Sequence, residues 1–552
     1  MNATVKTTST SGGKEGTGFC TPKEDKSPQK FCVPPKRVIP IIFIPGIMGS
    51  NLRMSKSRQE RLKKENNIAW NPDKPVDMLE AKDFSPARRQ LQWDQYETSV
   101  EIYDPVNNPT GNPNETADQR QDAVELSKDL RKSTNANVLH EDPVKERKDK
   151  TARKRGWGEV YFGSYGELLD ICEVCFNDLT STTTWDKVLD IAPANWGAID
   201  SSSLKALSRK ERDDALKGCA FPVHAVGYNW LQTNFQSALT LKSRINELIE
   251  SYVAKGFDCR KVVLVTHSMG GLVARALVHP SVGNYSEKVL GVVHGVMPAV
   301  GAPAAYKRIR CGFEGSGILA AILGNNGPAV SAVLANSPGG LELLPSEQYG
   351  NGWLRIQQGG NVAKSLPVNG DPYAEIYTLR DKWYGLLVEQ WLNPAGLAKS
   401  GLEMTNGFLF NARYFHQIIS NTYHPVSFAH YGVDSERPSW ESVIWEAEMR
   451  ASGAHLETWS LRSDDGRGAL SFFTGESKHG LSVTATVKLG KPRGAGDQTV
   501  PAQSARAQAR SGAFKGIFEQ RGYEHQASYS DSQALSSTIY SIVRIIQNMN
   551  WS

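Results

Sequence analysis

Ser268 stands in Thr266-His267-Ser268-Met269-Gly270-Gly271, between two stretches of opposite character. Before it, Lys261 to Val265 is a β-branched, strand-like run. After it, Leu272, Val273, Ala274, Ala276 and Leu277 supply the apolar positions of a helix, and Pro280 limits the pattern. A hydroxyl on a sharp strand-to-helix turn is exposed above the sheet edge, and the helix N-terminus beneath it favours an oxyanion of the kind formed in acyl transfer. Such a hydroxyl needs a base to take its proton and a carboxylate to hold that base in one tautomer. Asp497, in Gly494-Ala495-Gly496-Asp497, and His525, in Gly522-Tyr523-Glu524-His525, follow in the order serine, acid, histidine. The chemistry open to this set is ester cleavage through an acyl-enzyme. The competing readings are a helix N-cap for Ser268 and an Asx-turn for Asp497. Thr266 also departs from the G-x-S-x-G form, in which a small residue two before the serine packs closely in the turn.

Of the eleven histidines, His525 has both the position and the order that the chemistry needs. The His267 side chain should project away from the Ser268 hydroxyl and pack locally. His416, His424 and His430 read as surface or substrate-wall residues, and His279 suits the negative end of the helix after Ser268. Asp371 and Asp381 lie earlier and stand in reserve for Asp497. A second feature is Gly46-Ile47-Met48-Gly49, which follows the apolar run from Arg37 to Pro45. Two glycines past a buried strand let backbone N–H groups approach a ligand, and the loop after an early strand supplies the second oxyanion donor in α/β-hydrolases. A plain turn between strand and helix is the alternative. With no H-E-x-x-H and no dense Asp/His cluster, neither a metal nor another cofactor is expected. Cys172 and Cys175 have the spacing of a redox or half-zinc pair, but lack a second pair and read as structural.

These residues need elements to hold them. Pro222 to Trp230 reads as a strand ending in a polar-aromatic loop. Phe235, Leu239, Ile245, Leu248, Ile249 and Tyr252 then mark one helix face, ended by Gly256, and Lys288 to Val296 is a further apolar strand after the Ser268 unit. This β-α-β-α-β succession implies a parallel sheet with right-handed crossovers, with sites at the carboxyl ends of its strands. The expected class is α/β, an α/β-hydrolase fold with a central, mostly parallel sheet, an insertion in the N-terminal half and a large helical cap. The expected division is a flexible arm over 1–35, a core over 36–300 and 481–552 with a polar insertion at about 55–155, and a cap over 301–480. Within the cap, Gly317 to Leu323 and Pro328 to Leu334 read as short helices, and Lys382 to Leu392 as an amphipathic one. The 552 residues, 39% hydrophobic and 22% charged, suffice for a large core, and a net charge of +5 requires no anionic partner. No nucleic-acid module, secretory signal peptide or apolar run of membrane-spanning length is seen.

The combination of Pro45-Gly46-Ile47-Met48-Gly49-Ser50, Thr266-His267-Ser268-Met269-Gly270-Gly271, Gly496-Asp497-Gln498-Thr499-Val500-Pro501 and Glu524-His525 resembles the lipase group containing lecithin:cholesterol acyltransferase and GPI inositol-deacylase. Within that group the chain is similar to bacterial lipase effectors of type VI secretion, to which Arg155-Gly156-Trp157-Gly158-Glu159-Val160-Tyr161 and Leu334 to Leu344 also bear likeness. The resemblance implies Ser268 as nucleophile, Asp497 as acid, His525 as general base, and an oxyanion hole from the backbone N–H groups of Ile47 and Met269. It also implies a phospholipid or other membrane lipid as substrate, peripheral membrane contact, a cognate immunity protein and a secretion spike or adaptor. The expected location is synthesis in the cytoplasm followed by delivery to target cells, to act in the periplasm or at a membrane surface; a resident cytoplasmic enzyme is the alternative. An acyltransferase, a neutral-lipid or carboxyl esterase, and a non-catalytic binding protein on the same scaffold are the other functional readings.

Overall fold

The computed structural model describes the chain except residues 1–6, 11–12, 19–28, 34, 75–77, 109, 134–137, 140–146, 179–183, 200–203, 316–317, 449–458, 477–481 and 552. Its centre is a six-stranded sheet of β1 (Ile41–Ile44), β2 (Val223–Ala225), β3 (Val262–His267), β4 (Val289–Gly295), β5 (Ser427–Gly432) and β6 (Phe514–Gln520). The spatial order is β2-β1-β3-β4-β5-β6, and every neighbouring pair is parallel. All residues of β3 and β4 are buried, as their unbroken Val/Leu-rich sequences require of strands covered on both faces.

Alternation along the strands divides the core in two. Ile41, Phe43, Val263 and Val265 face α1 (Phe162–Asn177) and the C-terminal helix Ser532–Ile546. Ile42, Ile44, Val262 and Leu264 face α2 (Asn234–Ala254) and α3 (Gly270–Val278). The α2 helix starts where the Thr233 side chain accepts the Gln236 N–H at 3.1 Å. Its inward face runs through Leu241, Ile245, Ile249 and Tyr252, while Leu239, expected on that face, is 46% exposed.

The Arg155 motif proves to be the joint between α1 and β2. Arg155 Nη1 donates to both carboxylate oxygens of Glu173 at 3.0 Å, and Glu173 also accepts the Val223 N–H at 2.9 Å. Trp157 Nε1 donates to the Val223 carbonyl at 3.0 Å, and Glu159 pairs with Arg244 of α2.

Several expectations need correction. The 1–35 stretch carries strands Thr7–Thr10, Gly13–Gly18 and Gln29–Val33 in one antiparallel sheet, in keeping with its threonines and Phe31-Cys32-Val33; the rest of the expected arm lies largely outside the described residues. Strand β5 belongs to the central sheet although it falls inside 301–480. The chain therefore leaves the core after β4, returns for β5, and leaves again. Residues Ser482–Leu489, expected in the core, join a second six-stranded sheet with Asn361–Leu366, Leu354–Gln358, Val443–Ala447, Ser460–Asp464 and Ala469–Glu476. The cap thus holds a sheet beside its helices. Lys382 to Leu392 is helical only over Glu389–Leu392, because Trp383 turns inward against Trp445 and Phe472.

The 55–155 insertion is built into the molecule. Trp70 and Trp93 join the main core, Arg89 donates to the Ile322 carbonyl at 2.8 Å, and Gln90 donates to the Leu392 carbonyl at 3.0 Å. Both acceptors belong to the cap.

Candidate active site

Chain direction puts the functional groups at one edge, since the carboxyl ends of parallel strands all point the same way. At the end of β3, Ser268 has φ 51°, a left-handed conformation that non-glycine residues rarely take, and its N–H donates to the Gly295 carbonyl of β4 at 2.9 Å. Met48, Val296 and Gln498 also have positive φ. Their gathering around one sheet edge is the pattern of backbone strain held at a working site. The turn is tight because α3 begins directly beneath it. A Cβ on Gly270 would lie 2.5 Å from both the Ile44 and Pro45 carbonyl oxygens. The constraint thus falls on the glycine after Ser268, whereas the side chain of Thr266, two before it, is wholly buried.

The structure brings Ser268, Asp497 and His525 together. Ser268 Oγ lies 2.8 Å from His525 Nε2, and His525 Nδ1 lies 2.9 Å from Asp497 Oδ2. A carboxylate oxygen accepts, so Nδ1 carries the proton and Nε2 is left to accept from the Ser268 hydroxyl. Asp497 Oδ1 accepts the N–H groups of Thr499 at 3.1 Å and Val500 at 2.7 Å, which fixes the carboxylate plane. The Asp497 loop is carried by a two-stranded ribbon, Asp434–Ser439 with Gly494–Gly496, that continues beyond β5. Asp371 and Asp381 take no part in these bonds. Ile47 lines the cavity over Ser268, and Met269 caps α3. Neither amide finds a protein acceptor among the described residues.

His267 proves more than local packing. It is buried, and burial, followed by the neighbouring His525, pushes its pKa well below the ordinary imidazole range. The neutral ring donates from Nε2 to the His525 carbonyl, 2.9 Å away. Its Nδ1 accepts from the Tyr165 hydroxyl at 3.2 Å, and burial raises the Tyr165 pKa to about 12, so that donor stays protonated. The Gln526 carbonyl next in the chain accepts from Ser164 Oγ at 2.8 Å, tying the His525 loop to α1. His430, expected at a surface or substrate wall, is buried on β5, and His424, expected there too, is buried just before the amino end of that strand. His279 ends α3 as expected, with its Nδ1 accepting the Ser281 N–H. Cys172 and Cys175 are buried on α1, where desolvation raises both thiol pKa values.

Above Ser268 opens a cavity of about 330 Å³ whose wall is largely apolar. Trp70 and Met78 come from the insertion, Ile309, Phe313 and Leu323 from the cap, and Ile47 from the loop after β1. Neither the insertion residues nor Arg308, the charged residue of the wall, was singled out in the sequence, because no local motif surrounds them. An arrangement of hydroxyl, imidazole and buried carboxylate beneath an apolar cavity can form and hydrolyse an acyl ester, with the imidazole moving the proton and the cavity holding an apolar chain.

Residues 229–311, from the end of the β2 loop to the first cap helix, match the PGAP1-like alpha/beta domain family. The chain is also similar to the crystal structure of the Tle4-Tli4 complex, with a TM-score of 0.72 and 31% identity over 93% of this chain and 99% of that one. The chain belongs to the Tle4 family. It is an α/β-hydrolase of the lipase group named by its motifs, and it resembles the type VI secretion lipase effectors. No curated protein sequence is significantly similar to it. Membership of the Tle4 family accounts for the reach of the likeness, which includes both the cap and the insertion.

Proposed function

We propose that this member of the Tle4 family is a serine-dependent lipid ester hydrolase of phospholipase type, acting as an antibacterial effector of type VI secretion. The observation that carries the proposal is the bonded series Ser268–His525–Asp497 at the floor of an apolar cavity. Ser268 Oγ attacks the acyl carbonyl while His525 Nε2 takes its proton. The Ile47 and Met269 N–H groups receive the oxyanion. His525 then returns the proton to the leaving alcohol, and water releases the acyl group by the same steps in reverse roles. The structure of a Tle4-Tli4 complex supports a second part of the proposal, that an immunity protein binds this chain. A secretion spike or adaptor would deliver it, and it would then act at a membrane surface of the target cell. Among the described residues no helix is long and apolar enough to cross a membrane, which agrees with peripheral contact.

The direct test is Ser268→Ala. Ester hydrolysis should fall by about 10⁴-fold or more, with unchanged thermal unfolding, and a fluorophosphonate probe should label the natural protein but not the variant. Turnover by Ser268→Ala at the natural rate would overturn the mechanism.

A further inference from the structure

Arg308, on the cap helix Pro303–Cys311, is a charged side chain in the largely apolar wall of the cavity over Ser268. Its position is fixed on two sides. Nε donates to Glu314 Oε2 at 3.0 Å, and Nη2 donates to Thr499 Oγ1 at 3.1 Å. Thr499 is two residues beyond Asp497 and gives its own N–H to the Asp497 carboxylate, so the guanidinium is tethered to the loop that orients His525. Phe313 lies against its face, with the guanidinium carbon 5.0 Å from the ring centroid. Nη1 has no protein partner among the described residues, and the side chain remains 19% exposed.

Glu314 does not neutralise this cation. Lys307 Nζ lies 3.5 Å from the same carboxylate, and Trp440 Nε1 donates to it at 2.9 Å. Burial raises the Glu314 pKa, but Arg308 and Lys307 outweigh it and hold the group at about 2. The Glu314 carboxylate is thus shared between two cations, Arg308 and Lys307, and does not fully offset the charge of the one that lines the cavity. A preorganised guanidinium with a free N–H edge, partly out of water, is suited to a phosphate oxygen. A purely apolar substrate would gain nothing from it and would leave the Nη1 edge desolvated and unpaired.

We propose that Arg308 is the phosphate-recognition residue of this site, holding the phosphodiester of a phospholipid close to the scissile carbonyl. This rests on the phospholipase reading and assigns the residue by which that site recognises its phosphate. The acyl chain occupies the apolar part of the cavity, the carbonyl lies at Ser268, and the phosphate accepts from the Arg308 Nη1 edge. Arg308 thereby selects the substrate and takes no part in proton transfer.

The test compares kcat/KM on a phosphatidylglycerol and on the diacylglycerol with the same chains, in the same mixed micelles, for the full-length protein. For Arg308→Gln the ratio of the two should fall by roughly 10- to 100-fold, the range for losing a charge-assisted contact to substrate. Arg308→Lys keeps a cation beside Glu314 and should lower the ratio by a smaller, several-fold amount; it carries the test alone if Arg308→Gln does not fold. A ratio unchanged in the folded variants, with both substrates losing equally, overturns the assignment and leaves Arg308 as a brace for the Asp497 loop. Failure of the ester-hydrolase reading itself gives a different result, in which the natural protein turns over neither lipid and Ser268→Ala changes nothing.

Discussion

At the scale of the residue, the bonds of His525 separate the groups that would move protons in the proposed mechanism from those that would hold them in place. Asp497 accepts from Nδ1 and sets the tautomer, while two backbone N–H groups hold its other oxygen. Asp497→Asn presents an amide where the carboxylate was and favours the wrong tautomer; kcat should fall by about 10⁴-fold, with little change in unfolding temperature. His267 works at one remove. It touches the carbonyl of His525 and not its ring nitrogens, so it governs where the imidazole sits. His267→Phe keeps a ring in the buried site but deletes the donor to that carbonyl. The expected result is a loss in kcat of about 10-fold, the lower end of what a misplaced catalytic group costs, with KM unchanged within about twofold. A larger KM with natural kcat would mean that His267 shapes the cavity and does not position His525.

At the scale of the element, the strand-turn-helix unit at Ser268 was legible because its two halves have different periods, and the break between them falls on small residues. Its steric logic was not fully legible. The generic motif asks for small residues on both sides of the serine, yet the contacts at Gly270 are with backbone oxygens that cannot rotate away, while Thr266 fits. Gly270→Ala should therefore cost about 3 kcal/mol, the upper end for overpacking, and should lower the unfolding temperature more than Thr266→Gly does. The reverse order in thermal denaturation would contradict this account. Elements that the sequence concealed share a cause. Strand β5, Ser-Phe-Ala-His-Tyr-Gly, lacks the unbroken aliphatic run that identifies a central strand, and its burial comes from the strands on either side. Ser460–Asp464 is an outer strand of the second sheet and almost wholly exposed, so no face of it is marked by apolar residues. In Trp383 and Tyr384 the apolar residues were visible, but the packing of Trp383 against Trp445 and Phe472, with Tyr384 edge-on to Trp383, overrode their apparent helical spacing.

At the scale of the whole molecule, the cap and insertion make one roof over Ser268, and its attachment to the core contains a titrating group. Glu342 follows the short cap helix Pro338–Leu341 and accepts the N–H of Asn234, the first residue of α2, at 2.8 Å. It is almost wholly buried, and burial raises its pKa from 4.5 to about 8 despite that hydrogen bond. The folded protein therefore holds a proton here that the unfolded chain gives up near the ordinary glutamate value. Below about pH 4.5 both states are protonated and Glu342 adds no pH dependence. Between about pH 4.5 and 8 the folded state binds the extra proton, so this group lowers stability as pH rises, by roughly 1.4 kcal/mol per pH unit across the window. Above about pH 8 both states are ionised and the loss levels off. Glu342→Gln retains an acceptor for the Asn234 N–H and cannot ionise. Relative to the natural protein, its stability should be nearly level at pH 4.5 and rise progressively to pH 8, as read by urea denaturation at a series of pH values. Taking the difference between the two proteins cancels the buried histidines, whose lowered pKa values act in the opposite direction through part of the same range. Parallel stability curves would mean that Glu342 ionises in the folded protein near its ordinary value and that the junction between roof and α2 admits water.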